Sequence, residues 1–317
     1  MNRFSALAAL LLAGCATSPP PPDAFTFAVL GDLAYAPREE AMFVETMRRI
    51  DVESPAFTVH VGDFKGSGPC SDELFALRRA QLDASAAPLV FVPGDNEWTD
   101  CRAARNGSMD PIERLAKLRT LFFADGESLG RRRMATTAQD RCLAAPPVGC
   151  GCAAHPENRQ WRHQRVQFVT LNIPGHQNNT GHDERNDREA LCRNAANAEW
   201  LERAARESES DEVRALVVVT HANPWYVPAK HRHVFDGFLA QMRALPPRLR
   251  KPILFVHGDT HSYRVTEFLD EKGQPVDGIT RLETHGSPLI GYVVVSVEPG
   301  SPQPFGFTAR LVALSLG

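Results

Sequence analysis

The chain alternates short apolar runs with amphipathic stretches at near-regular intervals. Phe25 to Leu30, Phe57 to Val61 and Leu89 to Val92 are apolar runs of strand length, and each runs into a Gly-Asp turn: Gly31-Asp32, Gly62-Asp63 and Gly94-Asp95. Between the first two, Pro37 to Ile50 places Met42, Phe43, Met47 and Ile50 at helical spacing behind a proline in the first turn. Ser71 is placed to cap a second helix running to about Asp83. This β-α-β-α-β succession, with a period of about thirty residues, predicts a parallel sheet with right-handed crossovers. The three acidic turns then share one edge, the carboxyl ends of the strands, where open α/β sheets bind ligands.

The alternation continues. Asp110-Pro111-Ile112-Glu113 reads as a capping box opening a helix to about Phe123. Val166 to Leu171 is a strand, and Asp187 to Arg206 a long helix with Leu191, Ala195, Ala198 and Leu201 on one face. Arg214 to Thr220 is a strand that delivers His221, Val234 to Leu245 a short helix, and Ile253 to Val256 a strand that delivers His257-Gly258-Asp259-Thr260-His261. The tail is strand after strand: Tyr263 to Phe268, Thr280 to Thr284, Leu289 to Val297 and Phe305 to Leu314. It predicts a second, partly antiparallel sheet packed on the first. The stretch 126–165 breaks the pattern. It carries three cysteines, Arg131-Arg132-Arg133, Arg141, Arg159, Arg162 and Arg165. It reads as a disulfide-pinned excursion near the active face whose basic rim would steer anions, or as a solvated surface loop.

The amino terminus is different in kind. Met1-Asn2-Arg3 is a short basic head, and Phe4 to Ala13 is an apolar run too short to span a bilayer. Together they read as an export signal, residues 1–14. Leu12-Ala13-Gly14-Cys15 resembles the lipobox of bacterial lipoproteins, which implies that Cys15 becomes the lipidated first residue of the mature chain. Ala16 follows in place of the Asp that signals inner-membrane retention, so the expected location is the periplasmic side of the outer membrane. Residues 15–23, with four consecutive prolines, form a stiff tether. The lipid would be the sole membrane contact. The formal net charge of −3 argues against a nucleic-acid partner.

In an exported chain, Cys70, Cys101, Cys142, Cys150, Cys152 and Cys192 suggest disulfides. Cys70 and Cys101 each follow a strand-turn by a few residues and are the expected pair; a zinc site at Cys150-Gly-Cys152 is the alternative. What carries chemistry is the set at the strand ends: Asp32, Asp63, Asn96, Glu97, His221, Asp259 and His261. Oxygen and imidazole donors without cysteine suit divalent metals in a hard to borderline site.

In the order Gly31-Asp32, Gly62-Asp63, Gly94-Asp95-Asn96-Glu97, Thr220-His221 and Gly258-Asp259-Thr260-His261, the sequence resembles the calcineurin-like metallophosphoesterases over about residues 24 to 297. The resemblance implies an α/β fold: two packed mixed β-sheets flanked by helices, a four-layer sandwich filling 24–317. It implies a metal-dependent phosphoesterase acting on mono- or diesters, through hydroxide activated between two metal ions. Asp63 would bridge the ions, Asp32 and His261 would hold the first, and Asn96, His221 and Asp259 the second. Glu97 would protonate the leaving group, and His257 would contact substrate. The departures are specific. The family's His two residues after the first Asp is Ala34, its proton-donating His is matched by Glu97, and the first His of its last motif is Asp259. Tyr35 could point at the first metal or simply pack. An added carboxylate shifts the expected ions towards Mn²⁺ or Mg²⁺ over Zn²⁺, with iron allowed. The alternative function is a degenerate, non-catalytic lipoprotein that binds an anionic or phosphate-bearing ligand.

Overall fold

The computed structural model describes residues 22–313. The export signal, Cys15 and the start of the proline tether lie outside the described residues. Strand β1 (Phe25–Leu30) leads through α1 (Glu40–Glu53) to β2 (Thr58–His60), α2 (Asp72–Asp83), β3 (Leu89–Phe91) and α3 (Pro111–Phe122). Then come β4 (Thr137–Gln139), β5 (His155–His163), β6 (Val166–Thr170), α4 (Glu184–Ser208), β7 (Ala215–Val219), α5 (Asp236–Leu249) and β8 (Ile253–His257). Strands β9 (Arg264–Leu269), β10 (Pro275–Glu283), β11 (Gly291–Val297) and β12 (Phe305–Leu311) close the order.

These form two mixed sheets, one in the order β12-β11-β1-β2-β3 and one in the order β4-β5-β6-β7-β8-β10-β9. Alternation along β1 explains the layering. Phe27 and Val29 face the second sheet, among Val59, Val61, Phe168, Val217, Val219, Val256 and Val293. Ala28 and Leu30 face outwards, into a core with Phe43, Met47 and Ile50 of α1, Phe75 and Leu82 of α2 and Leu115 and Leu118 of α3. On the far side, Trp200 and Leu201 of α4 and Leu239 and Met242 of α5 cover the outer face of the second sheet. A strand covered on both faces has no polar side, which is why these runs read as continuously apolar.

Local chemistry sets the helix starts. The Ser71 hydroxyl accepts from the Leu74 N–H at 3.2 Å. Asp110 accepts from the Ile112 N–H at 2.9 Å. The expected capping box is only half made, because the Glu113 carboxylate pairs with Arg114 instead of reaching back.

Two expectations are corrected. The tail does not build one sheet: β9 and β10 extend the second sheet, while β11 pairs antiparallel with β1 and carries β12 with it into the first. Runs of strands announce their own existence but not their partners. The stretch 126–165 is also no mere excursion, since it contains β4 and the nine-residue β5, which pairs with β6. The alternation of β5 was masked by polar residues that are buried here, among them Glu157, Asn158 and Gln160. Its arginines do not form a rim at the strand carboxyl ends. Arg133 pairs with Asp83 and Arg132 reaches the Ala86 carbonyl, both ahead of β3, while Arg165 bonds to carbonyls of Asp211 and Glu212, ahead of β7. Those are the opposite ends of the strands. The disulfides are Cys70–Cys101, as expected, Cys142–Cys152 and Cys150–Cys192, which leaves no zinc pair at Cys150 and Cys152.

Glu157 is fully buried and takes the Arg119 guanidinium on both oxygens, at 2.6 and 2.8 Å. Burial pushes its carboxyl up, but Arg119, aided by His155, outweighs burial and holds it well below the usual range. A depressed folded pKa adds stability that is present above the unfolded value, near 4.3, and is lost as pH falls through the folded one. Glu157→Gln should therefore cost about 3 kcal/mol at neutral pH, and the gap to wild type should narrow below about pH 4. Urea unfolding of both proteins across pH 3–7 checks this; a gap that is constant with pH would show that the pair is not the source.

Candidate metal centre

The strands of both sheets deliver their turns to one place. Asp32, Asp63 and Asp259 sit there in left-handed backbone, with φ of 55°, 56° and 77°, as does His261 at 58°. Side chains other than glycine avoid this region, so the surrounding structure must hold them. The holding bonds are on hand. The Asp259 N–H donates to Asp32 Oδ1 at 3.1 Å, the Asn96 N–H to Asp63 Oδ1 at 2.9 Å, and the Asn223 N–H to Asp259 Oδ2 at 2.9 Å. Gly94 is required by proximity, since a Cβ there would lie 2.2 Å from Asp63 Oδ1.

His221 is the hub. Its Nδ1 donates to the Val61 carbonyl at 2.7 Å, which turns Nε2 towards Asp63 Oδ1 at 3.5 Å and Asp95 Oδ1 at 3.7 Å. Donor atoms of Asp32, Asp63 and His221 lie within 4.8 Å of one another, and so do those of Asp95, His221 and Asp259. Burial raises the Asp32 and Asp63 carboxyls well above their usual range, and raises Asp259 to about 6. Burial alone would lower His221, but Asp63, then Asp95 and Asp32, push it well above its ordinary value. The cluster therefore needs positive charge, as shared protons or as a metal. Asp32 Oδ2 and His221 Nε2 are both buried with no hydrogen-bond partner. Buried polar atoms are rarely left so, and two of them aimed at the same acidic cluster fit a cation. The imidazole is oriented through its other nitrogen, the usual support of a metal-ligating histidine. The residues present fit a metal ion.

Of the expected residues, Asp32, Asp63, His221 and Asp259 converge. Three others are corrected. Asn96 turns its amide nitrogen to the centre: Nδ2 donates to Asp63 Oδ2 at 2.6 Å, and Asp95 Oδ1 stands 3.7 Å from His221 Nε2. Glu97 is fully buried, with Oε1 accepting from the N–H groups of Gly94 at 2.5 Å and Asp63 at 3.1 Å. It braces the turn that carries Asp63 and cannot reach a leaving group. His257 is likewise fully buried, with Nδ1 on the Gly258 carbonyl and Nε2 accepting from Arg281 Nε at 2.8 Å, so both nitrogens are taken and no substrate meets them. The pattern Gly-Asn-His-Asp/Glu, laid on Gly94-Asp95-Asn96-Glu97 position by position, puts Asp95 on the ligand and Glu97 on the acidic residue; that register was the missed signal. His261 Nε2 is 3.5 Å from Asp32 Oδ1, on the side where Tyr35 stands.

Sequence reading also missed His176. It follows β6, another strand ending at this edge, and its Nδ1 bonds to Asp95 Oδ2. That bond, with the Asp95 charge, raises His176 to about 9. Its side chain is 68% exposed, which places it at the entrance to the buried cluster.

No model of a protein family matches the chain, and no curated protein does. Among solved structures, the chain is similar to a dimetal phosphatase from Danio rerio at 12% identity and a TM-score of 0.51, over 91% of this chain and 99% of that one. This chain has the calcineurin-like metallophosphoesterase fold. The chain is also similar, at 12% identity and a TM-score of 0.49, to GAP50, the anchor in the inner membrane complex of Plasmodium, over 92% of this chain and 90% of that one. A protein serine/threonine phosphatase from Saccharomyces cerevisiae matches at 11% identity and a TM-score of 0.33, over 93% and 82% of the two chains.

The corrected register is testable by Mn²⁺ titration calorimetry. Asp95→Ala should weaken binding by about a hundredfold or more, and Asn96→Ala, which removes only an orienting amide, by about tenfold. The reverse order would restore Asn96 as the ligand.

Proposed function

We propose that this chain hydrolyses phosphate mono- or diesters with divalent metal held around His221. The observation that carries the reading is the pair of unpartnered buried atoms, Asp32 Oδ2 and His221 Nε2, facing the carboxylates of Asp63, Asp95 and Asp259. Four carboxylates and one imidazole favour Mn²⁺ or Mg²⁺ over Zn²⁺. Bound there, such an ion supplies Lewis acidity towards phosphoryl oxygens and activates water for in-line attack. The chain's own groups do the rest. Asn96 Nδ2 and the Tyr35 hydroxyl, both 2.6 Å from Asp63 Oδ2, fix the rotation of that carboxylate. Glu97 fixes the backbone beneath it. His176, exposed at the entrance, is placed to donate to a phosphate oxygen of an incoming ester.

One observation favours the second reading, a metal-bearing protein that binds a phosphate-bearing ligand without turnover. Asn96 occupies the position of the family's proton-donating His, and an amide is no acid. Assays of purified protein with nitrophenyl phosphate mono- and diesters and added Mn²⁺ separate the two. Asp63→Asn should lower the rate by more than tenfold, a barrier increase of about 1.4 kcal/mol or more. Retention of the rate would remove Asp63 from the chemistry, and bound metal without turnover of any ester by wild type would favour the binding role.

The leader motif Leu12-Ala13-Gly14-Cys15 supports a further part of the proposal, export and lipid anchoring, with the outer membrane as the destination. Cys15→Ser should move the protein from the membrane fraction to the soluble fraction, because the acyl chains would be its anchor. Continued membrane association of that variant would exclude lipidation as the anchor.

A further inference from the structure

Tyr35 is built into the side of the centre on which the family resemblance puts a first metal ion. Its hydroxyl donates to Asp63 Oδ2 at 2.6 Å, lies 3.1 Å from Asn96 Nδ2, and lies 3.2 Å from His261 Nε2. With Asn96 also donating at 2.6 Å, that carboxylate oxygen has two donors. His261 belongs to none of the compact donor groups among the described residues, although Asp32, Asp63, Asp95, His221 and Asp259 all do.

The ring is fixed from several directions. Its edge packs on the His261 imidazole at 5.0 Å between centroids. A Cβ at Gly66 would lie 2.8 Å from the Tyr35 Cβ and 2.9 Å from its Cγ, so the ring's approach needs a glycine there. The Tyr35 N–H donates to Glu39 Oε2 at 2.7 Å, the Ser287 hydroxyl donates to Glu39 Oε1 at 2.8 Å, and His261 Nδ1 donates to the Ser287 carbonyl at 2.6 Å. Tyr35, Glu39, Ser287 and His261 thus form a closed frame. Beneath it, the ammonium of buried Lys65 sits on the carbonyls of Gly66 and Asn96, adding fixed positive charge on this side. Ala34 supplies no donor where the family pattern has an imidazole.

We propose that the centre holds a single divalent ion among the donors of Asp32, Asp63, Asp95, His221 and Asp259, which form two compact groups sharing His221, and that the Tyr35 hydroxyl, bonded to Asp63 Oδ2 and packed against His261, takes the place of the second ion. This rests on the metal-dependent reading above and narrows it: the oxygen-rich half of the usual pair is kept, and a phenol completes the other half. Tyr35 is then a positioning residue for Asp63.

The test is metal stoichiometry by elemental analysis after loading the purified full chain with Mn²⁺ and desalting, with electron paramagnetic resonance on the same sample. Wild type should hold one ion per chain with the uncoupled spectrum of an isolated Mn²⁺. Tyr35→Ala, with folding checked by circular dichroism, should admit a second ion and show a coupled spectrum, because the phenol no longer fills the space between Asp63 Oδ2 and His261. Two ions in wild type would overturn the single-ion inference and leave the metal-dependent reading standing. No ion in folded wild type would sink that reading itself. If Tyr35→Ala does not fold, wild type loaded with Fe³⁺ still decides. A visible phenolate-to-iron absorption band would make Tyr35 a ligand and overturn its assigned role, and no such band is expected.

Discussion

The structure depends on one electrostatic constraint. Asp32, Asp63, Asp95 and Asp259 meet around His221 with almost no exposure to solvent for the first three and for the imidazole. Like charges packed this closely in a medium of low dielectric cannot all be ionised unless positive charge joins them. A fold that keeps such a cluster has to hold the carboxylates in place against their own repulsion, and it has to leave the counter-charge a defined position. The apolar face between the two sheets does the first by excluding water and stiffening every strand end. The orphaned atoms of Asp32 and His221 mark the second.

Support for the ligands comes mostly from backbone N–H groups and from residues with no direct part in the chemistry. Glu97 ties Gly94 to Asp63. Behind Asp259 lies a longer chain of bonds: the Asn223 amide donates to the Thr260 hydroxyl, which donates in turn to buried Glu283. Arg281 and Arg264 neutralise Glu283, and Arg281 also holds His257. Polar residues that looked catalytic by position are here part of the frame. Their burial is tolerated because each has partners, although Glu97 has them on Oε1 alone, since a wholly unpaired buried carboxylate or imidazole would cost several kcal/mol.

Tyr35 and His176 show how loop residues outside the strand-end motifs are bonded into the acidic centre. Neither stands at a family position. Tyr35 comes from the loop after β1 and takes up an oxygen of Asp63. His176 comes from the loop after β6 and takes up an oxygen of Asp95. Each bonds to a carboxylate delivered by a different strand end, so the centre draws on groups that the motif order does not name.

Much of the fold is legible in the sequence by itself. The continuous apolar runs and the helical spacing place β1, α2, β3 and the Ser71 cap almost to the residue, because strands covered on both faces admit only apolar side chains and helix starts need a side-chain acceptor. The strand-end rule finds Asp32, Asp63, His221 and Asp259, because parallel strands must end on one edge. What only the tertiary structure decided was which atoms meet. His221 Nδ1 and the Val61 carbonyl it orients against are 160 residues apart in sequence, and they come together only when one sheet is laid on the other. The same packing buries Glu97 and His257 and turns Asp95 inwards. It also sends β11 and β12 back to the first sheet. A sequence specifies the direction each side chain takes from its own strand, but distance between strands is set by the packing of two apolar faces, and coordination chemistry depends on distance.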